Sequence, residues 1–100
     1  MEIALNINGE IKKFTRTKPL NLADTLLALE LQLKQQKRAE KESETTKDLK
    51  DNLNDICEFL SKFFDNQFSL KEAYEGLDPK NITAVNALVE KALGGEDENL

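Results

Sequence analysis

EIALNINGEIKKFT, residues 2–15, is the stretch that separates this chain from an all-helical one. Ile3, Leu5 and Ile7 alternate with Glu2, Ala4 and Asn6, the period-two pattern of a strand with one apolar face. Asn8-Gly9 follows. A two-residue type I′ turn needs positive φ at both central positions, which Asn and Gly adopt most readily. Residues 10–15 then return as a second strand, with Ile11 expected to point inward and Lys12 and Lys13 outward. Residues 1–15 are thus predicted to form a β-hairpin. Such a ribbon is marginal alone and must lie on helices or pair with another chain.

Working outward, Pro19 closes the hairpin segment, and Asn21 is a good N-cap with Asp24 three residues on. Leu22, Leu26, Leu29 and Leu33 recur at spacings of four, three and four, with Leu27 and Leu31 widening the apolar face. This pattern predicts an amphipathic helix over 21–40. Beyond it, residues 34–51 hold only Ala39 and Leu49 as apolar side chains. Residues 41–47 are expected as a charged connector or a helix extension. Thr45 with Asp48 three residues later resembles a capping-box start, which favours a break near 42–46.

A second strong helix is expected over 48–66. Leu49, Leu53, Ile56, Leu60 and Phe63 form its stripe, broadened by Cys57 and Phe64. Ser69 and Glu72 form a capping box opening a short helix over 70–76, with Gly76 expected as its left-handed cap. Asp78-Pro79 starts a last helix over 79–93, whose inner face is Ile82, Val85, Leu88, Val89, Ala92 and Leu93. Gly94-Gly95 stops it, and 94–100 is expected to be a disordered acidic tail. The predicted fold class is α+β, mainly α: an N-terminal β-hairpin followed by three to four helices, with 1–93 as a single domain.

Composition narrows the chemistry. The chain has no histidine, one cysteine (Cys57) and one tyrosine (Tyr74), and its glycines form no phosphate-cradling motif. Histidine is the side chain that titrates near neutrality and the commonest metal ligand. The expectation is therefore no catalytic residues, no metal and no cofactor. An enzyme using Cys57 as nucleophile would lack a histidine to activate the thiol. Asp48, Asp51, Asp55 and Glu58 line one helix flank, but without a ligand loop they read as a solvated face.

Charge is unevenly spread. Residues 1–20 carry Lys12, Lys13, Arg16 and Lys18 against Glu2 and Glu10, whereas 52–100 carry four lysines against ten acids. That acidic half argues against a nucleic-acid partner. Residues 69–93 do have a helix-turn-helix look, which keeps a DNA-binding regulator as the alternative function. The exposed side of its second helix offers Lys80, Asn81, Asn86, Glu90 and Lys91, nearly neutral in sum and set within the acidic half, which disfavours that alternative. No apolar run approaches the roughly 18 residues of a membrane span, and the N-terminus lacks the basic start and apolar run of a signal peptide. A lone cysteine cannot form an intramolecular disulfide. A cytoplasmic protein is expected.

What remains is contact with other proteins. A chain this short supplies little net stability from one core, so a homo-oligomer is expected. Phe59, Phe63, Phe64 and Phe68 place four of the five phenylalanines within ten residues, on more helix azimuths than one small core needs. They are core candidates and also the candidate partner-binding residues.

The order of features is itself distinctive. A strand–Asn-Gly–strand hairpin (MEIALNINGEIKKF) leads into a leucine-rich helix, a charged Lys/Glu middle, an aromatic acidic helix, and a further helix ending in Gly-Gly and acids. This resembles the tail assembly chaperones of long-tailed bacteriophages that infect Gram-positive hosts, over nearly the whole chain. The resemblance implies a factor acting in the host bacterial cytoplasm and absent from the mature virion. It would bind the long helical tape measure protein, keep it soluble, and promote assembly of tail tube protein around it. It also implies that a ribosomal frameshift near the gene's end can make a longer form, for which the Gly94-Gly95 tail is a suitable junction. The family offers no motif that assigns contacts residue by residue.

Overall fold

The computed structural model describes residues 1–41 and 43–94. Strands β1 (Glu2–Ile7) and β2 (Glu10–Thr15) are followed by helices α1 (Leu22–Ala39), α2 (Thr46–Phe63), α3 (Leu70–Gly76) and α4 (Ile82–Ala92), with a 3₁₀ turn over Pro79–Asn81 before the last. The fold is α+β and mainly α, an antiparallel hairpin followed by four helices. Of the expected tail, residues 95–100 lie outside the described residues.

Asn8 and Gly9 both take positive φ, 53° and 84°, and make the two-residue turn. That turn sets the register: Ile7 opposes Glu10, Leu5 opposes Lys12 and Ile3 opposes Phe14. Directly opposed residues share a sheet face, so β2 lends Phe14 to the side where Ile3 and Leu5 are buried. Ile11 opposes Asn6 and lies on the other face, 69% exposed. The expectation that Ile11 points inward is corrected: a two-residue turn puts odd positions of β1 opposite even positions of β2.

Three helices open on reciprocal capping boxes. Asn21 pairs with Asp24, Thr45 with Asp48 and Ser69 with Glu72, each side chain bonding the other residue's backbone N–H. Each box satisfies two donors that a helix start leaves orphaned. Between α1 and α2 the chain leaves the helix after Ala39 and re-enters at Thr46. Ion pairs lace α1 to α2, Arg38 to Asp55 at 2.6 Å and Lys34 to Asp55 and Glu58 at 3.9 and 3.8 Å, and Lys41, just past α1, pairs with Asp48 at 2.8 Å.

α1 turns an unexpected side to the core. Asp24, Ala28 and Leu31 are buried, while Leu22, Leu26, Leu29 and Leu33 are exposed. At 100° per residue the two sets lie on opposite sides of the helix. On the buried side the Asp24 carboxylate pairs with Arg16, in line with Ala28 and Leu31.

α2 forms the centre, with Cys57, Phe59, Leu60 and Phe63 buried. It ends at Phe63, three residues short of the expected 66. Asp65 and Asn66 take positive φ (57° and 59°) and break the helix. The Asn66 N–H then bonds the Ser61 carbonyl at 2.8 Å, and the Ser61 hydroxyl donates to the Phe68 carbonyl at 2.6 Å. The expected helix over 79–93 likewise begins as a 3₁₀ turn, with Asp78 accepting from the Lys80 N–H. Val85, Leu88, Val89 and Ala92 of α4 are buried, and the Thr25 hydroxyl of α1 donates to the Ala92 carbonyl at 2.7 Å.

Gly76 has a different role from the one expected. It is the last residue of α3 and its φ is not positive. A Cβ there would stand 2.5 Å from the Asn6 carbonyl oxygen and 3.2 Å from the Asn6 nitrogen. Glycine is present because α3 lies hard against the β1 backbone.

Candidate functional site

The phenylalanines form one continuous run of rings. Phe59 stacks on Phe63 at 5.4 Å between centroids, Phe63 meets Phe64 at 5.5 Å, Phe64 meets Phe68 at 5.9 Å, and Phe68 meets Phe14 of the hairpin at 4.9 Å. Arg16 lies over the Phe63 ring, 4.6 Å from its centre. Edge-to-face and offset contacts at these spacings add to area burial. Phe63 and Phe64 are wholly buried, and Phe59 and Phe68 nearly so. All four candidate partner-binding rings are therefore core in this fold. The extra azimuths are used because the chain bends at Phe64 and wraps its rings around the end of α2.

Apart from Ile11 and Leu20, the exposed large apolar side chains among the described residues gather in two places. One is the outer side of α1, where Leu22, Leu26, Leu29 and Leu33 are 84, 57, 50 and 52% exposed. The other is a groove of about 370 Å³ where α2, α3 and the start of α4 meet. Leu53, Ile56 and Cys57 form one wall, and Ala73, Tyr74, Leu77, Pro79 and Ile82 the other. Leu49, one turn earlier on α2, is also exposed. The leucine spacing is visible in the sequence as one apolar face of a helix, though not that this face stays outside the core. The groove was not visible, because it depends on how α3 and α4 fold back on α2.

The remaining candidates have ordinary surroundings. The Cys57 thiol is buried, and desolvation pushes its pKa up, away from the reactive thiolate. The acidic flank of α2 is matched by cations: Asp48 by Lys41, Asp51 by Lys47, Asp55 by Arg38 and Glu58 by Lys62. No grouping of His, Cys, Asp or Glu that could hold a metal occurs among the described residues. The α4 region presents Lys80 and Lys91 as its cations, with Glu90 beside Lys91. No helix among the described residues is long and apolar enough to cross a membrane.

A small acidic fold with a filled core and two uncovered apolar faces is a protein-binding module. Residues 1–100 match the family of phage tail chaperone proteins, and the chain belongs to that family. Neither the curated proteins nor the solved structures contain a match.

Proposed function

We propose that this chain is a tail assembly chaperone that holds the helical tape measure protein of its phage. It keeps that client soluble in the host bacterial cytoplasm and presents it to tail tube protein. It then leaves, and is absent from the mature virion. Membership of the phage tail chaperone family supports the class. The observation that carries the mechanism is the groove lined by Leu53, Ile56, Tyr74, Leu77 and Ile82. An amphipathic helix lays its apolar side into such a groove, anchored by residues one turn apart. Leu49 and Leu53, four apart on α2, offer two successive contacts along one such line. Residues 52–100, which supply most of the groove, are acid-rich in sequence, and that charge favours client segments that carry basic residues.

Co-expression with fragments of the tape measure protein tests this. Wild-type protein is expected to co-purify with at least one fragment and raise its soluble yield. The Leu53→Asp, Tyr74→Asp double variant replaces two exposed side chains, so it is expected to fold while losing the fragment. Failure of the wild type to retain any fragment, or retention undiminished in the double variant, would count against the groove as the client site.

A further inference from the structure

We infer that the outer side of α1 is the seat of a second copy of this chain, packed antiparallel to the first. Leu22, Leu26, Leu29 and Leu33 follow the four-three-four spacing of alternating coiled-coil seam positions. That spacing is symmetric about its midpoint between Leu27 and Ala28. An antiparallel copy therefore sets Leu22 against Leu33 and Leu26 against Leu29, and the two-fold axis repeats both layers. A self-complementary patch of this kind is what a closed two-fold interface requires.

Area agrees. At the exposures found, the four leucines present on the order of 400 Å² per copy, or about 800 Å² for the pair. The leucines alone therefore supply most of the roughly 1,000 Å² expected of a specific interface. Charge agrees as well. In a chain that is one-third charged, the stripe is bordered by Ala23, Thr25 and Gln32. The two-fold axis sets like flanks together, so Glu30 comes nearest Ala23 of the second copy and Thr25 nearest Gln32, and none of these nearest pairs within the leucine span is like-charged. The opposite side of α1 is already committed to the core through Asp24, Ala28 and Leu31. The stripe can therefore be covered without disturbing the fold. This surface is separate from the groove, and the inference stands whatever the client is.

Sedimentation equilibrium and circular dichroism on the full chain test it. The wild type is expected to be a dimer, and Leu26→Glu with Leu29→Glu to weaken association at least about 100-fold with helicity unchanged. Mild oxidation then reads orientation. Leu22→Cys mixed with Leu33→Cys is expected to cross-link, and Leu22→Cys alone is not. A wild type that stays monomeric at millimolar concentration overturns the inference, as does a dimer that survives the glutamates. Self-linking of Leu22→Cys overturns the antiparallel arrangement. A monomer whose stripe instead takes up a tape measure fragment, lost on the glutamate substitutions, reassigns the surface to the client.

Discussion

The Arg16 guanidinium and the Asp24 carboxylate meet in two parallel bonds, Nη1 to Oδ1 and Nη2 to Oδ2, each 2.6 Å long. Both side chains are almost wholly buried. Arg16 also donates to the carbonyls of Lys18, Pro19 and Phe63, at 3.1, 2.9 and 3.2 Å. Asp24 accepts from the Asn21 N–H at 2.9 Å. One fork thus joins the end of the hairpin, the loop before α1, the start of α1 and the end of α2.

Removing one partner strands the other. Arg16→Met or Asp24→Leu alone is expected to cost about 3–5 kcal/mol, because each leaves an uncompensated buried charge. The double variant is expected to fall closer to wild type than the sum of the singles. Urea midpoints for the four proteins of that cycle give the coupling directly.

Acid should loosen the fold through two carboxylates. The bond from Arg16, with help from the Asn21 N–H, holds Asp24 below its ordinary pKa. The bond from Lys41 and the cap on Thr45 bring Asp48 down to about 2. Both groups favour the charged form when folded, so their contribution is complete above the unfolded value of about 3.9. It is lost as pH falls from about 4 toward 2. Stability against urea, measured across that window, is expected to drop, and Asp48→Asn is expected to flatten part of the fall.

Gly76→Ala is expected to destabilise by about 1–3 kcal/mol, although alanine is the better helix former. The added methyl meets the Asn6 carbonyl at 2.5 Å. Gly76→Asn is expected to be worse. A left-handed cap would have tolerated asparagine, so thermal melts of the two variants distinguish close packing from capping.

Phe64→Asp is expected to unfold the chain, since the ring is wholly buried between Phe63 and Phe68. Phe64→Ala is expected to cost about 3–5 kcal/mol. Leu22→Ala, at an 84% exposed position, is expected to stay within about 0.5 kcal/mol where the chain is dilute. Helicity measured across this set shows which apolar residues hold the monomer.

Local chemistry made much of this fold legible in advance. The Asn8-Gly9 turn, the Asn21 cap and the capping boxes at Thr45 and Ser69 rest on contacts within three residues, and Asn21 with Asp24 proves to be a full box as well. What was hidden depends on residues far apart. The leucine pattern marks the apolar face of α1, but not that Asp24, paired with a buried arginine, lies inward while Leu22, Leu26, Leu29 and Leu33 stay outside. Ile11 was misplaced because apolar identity outweighed the parity set by the turn. The phenylalanines looked too numerous for one core until the bend at Asp65 and Asn66 brought Phe68 back beside Phe64 and Phe14.

The reach of those distant contacts has a consequence for synthesis. Arg16 awaits the Phe63 carbonyl 47 residues later, and Thr25 awaits that of Ala92, 67 residues later. Local turns and helices can form as the chain emerges from the ribosome, but the seams between them close late, since distant contacts must first overcome loop entropy. Until α4 is free, the nascent chain exposes its own apolar surfaces. A member of a chaperone family thus passes first through a stage in which its own helices are unsheltered.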